Sequence, residues 1–106
     1  MRKDTRHYLV TANGVIERGI FYNYMHELGY RDCFMYNRER IINSVYPIVV
    51  DMKRKELAIM ESATMCYLND KAGRVKTVEE FKKIIEKKVW YNICRGGLWK
   101  MIYLII

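Results

Sequence analysis

Proline is nearly absent from this chain of 106 residues, Pro47 standing alone, and there are only six glycines and three cysteines. No Pro/Gly/Ser-rich stretch marks a linker and no period marks a repeat, so the length predicts one domain over residues 1–106. Cys33, Cys66 and Cys94 are odd in number and irregularly spaced, which does not fit the patterned framework of a disulfide-stapled secreted domain. Their apolar neighbours, as in Asp32-Cys33-Phe34-Met35 and Met65-Cys66-Tyr67-Leu68, suit packed free thiols in a reducing cytoplasm. The start, MRKDTRHYLV, is too charged for a secretory signal.

Chemical signatures are equally scarce. Closely spaced Cys/His pairs, which place zinc ligands tetrahedrally, are missing; so are GxSxG and the Gly-rich phosphate cradles. With only His7 and His26, few nucleophile–base–orienter sets are available. A metal-dependent nuclease would need an acid on one strand and Glu-x-Lys on the next; Asp51 and Glu56 begin that pattern, but Ala58 stands where the lysine belongs. The expectation is therefore a protein with no catalytic residue, no metal and no cofactor, and not an enzyme.

Membrane spanning is not expected either. The apolar end Val89–Ile106 is shorter than the roughly 20 residues a helix needs to cross a bilayer, carries Arg95 and Lys100, and is interrupted by Gly96-Gly97. GGLWKMIYLII itself reads most economically as a buried closing strand beside the central hairpin; a surface for a partner or a second copy is the alternative.

What the chain has is charge of one sign, a formal +7, together with nine tyrosines, seven methionines and two tryptophans. Residues 1–36 are nearly balanced, with five basic and four acidic side chains, whereas 37–76 carry eight against five and 77–106 six against three. A positive field draws phosphate-rich or acidic partners. Arg38, Arg40, Lys53, Arg54 and Lys55 fall within one short span, with Tyr36 and Tyr46 available for stacking, and are candidate contacts to RNA, DNA or an acidic protein face. Glu39, Asp51 and Glu56 interrupt that run, and a solvated loop tip guarding a strand edge is its plainer reading. Trp90, Trp99 and Tyr103 are candidate anchors for a partner or oligomer contact, because such rings bury much area with few torsions.

The patterning predicts an α+β fold: a small, mostly antiparallel sheet of four to five strands packed by two main helices and one short one. RHYLVTA, Arg6–Ala12, reads as a strand closed by Asn13-Gly14. Ile20, Phe21, Tyr24, Met25 and Leu28 recur at helical spacing, ended by Gly29. Cys33–Tyr36 reads as a strand and Asn37–Ser44 as a helical turn. YPIVVDMKRKELAIM, Tyr46–Met60, reads as a hairpin around a charged tip. Ser62 caps a short helix ending near Gly73, and Thr77-Val78-Glu79-Glu80 is a capping box opening a helix with Val78, Phe81, Ile85 and Val89 on its apolar stripe.

The stretch from that hairpin through the Ala/Cys-containing helix to TVEEFKKII resembles, in style and element order, small proteins carried by phages and mobile elements of AT-rich bacteria. The resemblance implies a non-enzymatic inhibitor or regulator of anti-CRISPR type, one that binds a larger protein or ribonucleoprotein such as a CRISPR effector. It carries over no functional residue. A basic module acting directly on RNA or DNA is the alternative, with a small toxin-type ribonuclease behind it.

Overall fold

A computed structural model describes residues 7–95, with side chains described through Lys87. The elements run β1 (His7–Thr11), α1 (Gly14–Glu27), β2 (Arg31–Asp32), α2 (Arg38–Asn43), β3 (Ile48–Asp51), β4 (Glu56–Ile59), α3 (Ala63–Lys71), β5 (Val75–Thr77) and α4 (Val78–Arg95). Five strands form one sheet in the order β2-β4-β3-β1-β5. β3 runs antiparallel to β1 and β4, while β1 with β5 and β4 with β2 are parallel pairs. The fold is thus α+β with a mixed sheet, and β3 alone opposes the other strands. The expected antiparallel pairing holds for the two longer ladders, β1 with β3 and β3 with β4, while the outer strands β2 and β5 differ because each returns after a helical crossover, which delivers it parallel.

The two crossovers explain the layering. From β1 to β2 the chain passes β3 and β4 towards one edge; from β4 to β5 it passes β3 and β1 towards the other. Right-handed connections travelling in opposite directions put their helices on opposite faces. Contacts agree with this. Tyr8 meets Phe81 of α4 edge-on at 5.7 Å, and Phe81 meets Phe21 of α1 at 5.8 Å. His7, one residue along β1 and so on the other face, lies 3.2 Å from the Asn69 amide oxygen of α3.

On the first face Val10, Ile48, Val50, Leu57 and Ile59 pack with Phe21, Met25, Ile41, Phe81 and Ile85 in one buried cluster. In α1 the buried positions are Arg18, Phe21, Tyr22 and Met25, whereas Ile20 is exposed and Tyr24 half-buried. The apolar stripe is therefore rotated from the expected one, because α2 packs along the Tyr22 side and Arg18 fills a slot a hydrophobe would normally take. Truncating Phe81, fully buried between sheet and α1, removes one of the larger core side chains, a class of change costing about 3–5 kcal/mol.

Helix starts follow their side chains. Ser62 Oγ accepts the Met65 amide at 3.2 Å. Thr77 Oγ1 accepts the Glu80 amide at 3.1 Å while Glu80 returns a carboxylate oxygen to the Thr77 amide at 3.0 Å, the reciprocal pairing of a capping box. The strand expected at Cys33–Tyr36 is displaced: β2 is Arg31–Asp32, the Cys33 amide donates once more to Leu57 O, and the Tyr36 amide then turns back onto Cys33 O. β5 was not foreseen; its three residues hold one apolar side chain, too few to show a period. The expected tail strand lies outside the described residues, and the flanks of the hairpin where it was expected are taken by β1 along β3 and β2 along the start of β4.

Candidate functional site

Two ends of the sheet carry the features that point to function. β1, β4 and β5 finish at one end, where the α2–β3 loop also lies; in open sheets with parallel strands, ligands favour such carboxyl ends. This end is organised by Arg18, 2% exposed, whose planar fork is bound to main-chain oxygen throughout. Nε donates to Ile41 O at 3.0 Å and Ile42 O at 3.1 Å, Nη1 to Tyr46 O at 2.8 Å and Ala12 O at 3.4 Å, and Nη2 to Ile41 O at 2.6 Å. Ile41 and Ile42 sit in the last turn of α2, where carbonyls have no partner within the helix and the dipole is negative, so a cation is favoured there. Desolvation lowers the Arg18 pKa, but a guanidinium starts high enough to stay charged. One side chain thereby fastens α1, the end of β1, α2 and the following loop to each other.

The loop so held is apolar and outward-facing. Val45 is 89% exposed, and beyond the other end of α2 Phe34 is 91% exposed; their neighbours Tyr46 and Met35 are exposed too. A cleft of about 510 Å³ runs between Arg40, Asn43, Val45, Tyr46, Ile59 and Glu61. A second, of about 270 Å³, lies on the far side of Val45 against Ala12, Val15 and Ile42. Arg40 ties the flank before α2 to the chain just after β4: its guanidinium lies 4.8 Å from the centre of the Tyr36 ring, donates to Met35 O at 3.2 Å, and stands 3.8 Å from Glu61. Arg38 lies over Tyr22 at 5.6 Å. Both arginines are thus oriented by aromatic faces.

Beneath Arg38, Tyr22 donates its hydroxyl to Asp32 at 2.8 Å, and the His26 ring lies 2.9 Å from the other Asp32 oxygen and 4.2 Å from the Tyr22 ring. Burial first, then the hydrogen bond and charge of Asp32, push the Tyr22 hydroxyl up to about 12, which keeps it a donor at neutral pH. This cluster pins the two-residue strand β2 to α1. It was missed in the sequence because His26 and Asp32 are brought together by the turn at Gly29, whose positive φ of 97° no periodicity reveals.

No family model matches the chain, and no curated protein or solved structure is detectably similar to it.

The five basic candidates do not form one group. Arg38 and Arg40 belong to the carboxyl end, whereas Lys53, Arg54 and Lys55 make the tip of the β3–β4 hairpin at the opposite end. Tyr36 reaches Ile59 O at the far end of β4, so four residue rises, about 13 Å, separate the Arg40 site from Lys55. Tyr46 stays with the carboxyl end. At the tip, Asp51 Oδ1 accepts the amides of Lys53 at 3.1 Å and Arg54 at 3.0 Å. Lys55 takes the left-handed conformation, φ 58°, in place of the absent glycine, and its carbonyl accepts the Arg31 amide at 3.0 Å. Glu56, paired with Asp51 across the hairpin, lies half-buried 3.8 Å from Arg31.

Trp90 falls within α4, but its side chain, like Trp99 and Tyr103, lies outside the described residues. Among the described residues no His/Cys/Asp/Glu group of three is placed to hold a metal ion, and no helix is long and apolar enough to cross a membrane.

Proposed function

We propose that this protein is a small non-enzymatic inhibitor or regulator that acts by binding a larger protein or ribonucleoprotein, with α2 and its two flanks as the docking face. The observation that carries the reading is the pair Phe34 and Val45, almost fully exposed on either side of a helix whose arginines are already stacked on Tyr22 and Tyr36. Interfaces draw much of their affinity from aromatic and Arg anchors, and side chains ordered beforehand lose less freedom on association. The bracket around Arg18 supports the same reading, since it holds the loop backbone while leaving the Val45 side chain outside.

In its narrower form the partner is a CRISPR effector and the protein is of the phage-borne anti-CRISPR type. Trp90, Trp99 and Tyr103 are proposed as further anchors, for that partner or for a second copy. The test is co-purification with candidate effector nucleases at micromolar concentration. The native chain is expected to form a complex that Phe34→Ser together with Val45→Ser abolishes. A complex equally tight with the double variant would overturn the assignment of this face.

A further inference from the structure

We infer that the opposite end of the sheet is a second binding surface, one that follows the phosphate backbone of a nucleic-acid duplex. At this end β1, β2, β4 and β5 begin and β3 ends, and cations stand at the start of β2, at the β3–β4 turn and before β5. Arg31 opens β2 at one edge, Lys53, Arg54 and Lys55 cap the central hairpin, and Arg74 precedes β5 at the other edge, with Lys71 beside it in the last turn of α3. From β2 to β5 are four strand spacings at about 4.8 Å, so the row extends about 19 Å. Laid along the axis of a duplex, that length covers five to six base-pair steps of about 3.4 Å.

Of the three acids that broke up the basic run in the sequence, the two at this end are engaged locally. Asp51 is turned onto the two tip amides, which holds the loop in shape, and Glu56 is half-buried against Arg31. Among the described residues Lys53 and Arg54 have no ion-pair partner, and both are exposed. Asp70 and Glu27 remain exposed at this end, one next to Lys71 and one at the end of α1.

The duplex is favoured over a single strand by what accompanies the charge. Binders of single strands offer open aromatic faces on which successive bases stack. Here Tyr30, under Lys55, is only 5% exposed, and the one open ring nearby, Tyr67 on α3, 61% exposed, has the Lys71 ammonium 5.8 Å from its centre. One ring is no platform for successive bases, and charge without such a platform reads the backbone.

The inference is independent of the docking face and is tested apart from it. The full chain is titrated, by fluorescence anisotropy, into a short labelled DNA duplex, the matching RNA duplex, the separated single strand, and phosphatidylserine vesicles, each over a series of salt concentrations. One or both duplexes should bind, with affinity falling steeply as salt rises. Each lost phosphate contact removes about 0.9 from the slope of log K against log salt, so Lys53→Gln with Arg54→Gln should lower the slope by about two and weaken binding at least about tenfold at low salt. Phe34→Ser with Val45→Ser should leave slope and affinity as they were. Salt-independent binding, an unchanged slope in the hairpin variant, preference for the single strand, or binding to vesicles but to neither duplex would each overturn the inference.

Discussion

The carboxyl and amino ends of the sheet both carry arginine and lysine, yet they put that charge to opposite uses. At the carboxyl end the cations are committed: Arg18 is consumed by main-chain oxygens, Arg38 and Arg40 lie against tyrosines, and what projects is apolar. At the amino end it is the acids of the hairpin that are committed, Asp51 to loop amides and Glu56 beside Arg31, and what projects from its tip is Lys53 and Arg54. Counting charges along the chain makes these regions look alike. What separates them is which member of each local set is spent on holding the backbone.

The strongest way to break this contrast is to remove Arg18. Arg18→Met leaves the carbonyls of Ile41, Ile42 and Tyr46 without their donors, at about 1–3 kcal/mol for each buried group left unsatisfied, so a total loss of at least about 3 kcal/mol is expected in urea unfolding. Arg18→Lys should not rescue it, since a point ammonium cannot span acceptors arranged for a planar fork. Next in size is the loss of partner binding in Phe34→Ser and Val45→Ser, about 2 kcal/mol or more for each if both are anchors, with unfolding midpoints close to those of the native chain because both side chains are already in water.

Asp51→Ala sharpens the other side. It releases the Lys53 and Arg54 amides, and with hydrogen bonds to a charged group worth about 1.5–3 kcal/mol it should cost up to about 2 kcal/mol, the low figure reflecting an exposed site. Because it also deletes a negative charge, duplex binding at low salt should hold or tighten even as the tip loosens. The smallest expected effect is alkaline. Tyr22 and Tyr24 are both pushed from 10.0 up to about 12, chiefly by burial, aided by Asp32 for the first and by Glu86 for the second. Their folded-state pKa values are raised, so the associated stability is complete below pH 10 and is lost as pH climbs towards 12. Tyr22→Phe should flatten part of that decline in denaturant midpoints measured across this window.

Local chemistry in this chain was legible wherever a residue acts on its own neighbours. The capping box at Thr77 and Glu80, the Ser62 cap, the hairpin around Lys53–Lys55 and the first strand and helix follow from short-range rules, and all are present. What escaped depends on partners distant in sequence. β2 and β5 are strands because β4 and β1 offer them a parallel edge, and neither has enough residues to announce itself. Arg18 stands four residues before Tyr22 and three before Phe21, so a charged residue on an apolar stripe was visible, but not the carbonyls that satisfy it. The basic span from Arg38 to Lys55 read as one patch only because sequence distance hides the length of β4. Cys33 to Tyr36 looked like a strand through its apolar content, whereas Phe34 points into solvent.

Because Arg18 grips carbonyl oxygens alone, the hold it exerts on the α2–β3 loop does not depend on which side chains that loop displays. Asn43, Val45 and the ring of Tyr46 can be exchanged while the same oxygens stay in place. A protein that must keep pace with a changing target would find in this arrangement a rigid frame with a replaceable face, one able to diverge in specificity without first becoming unstable.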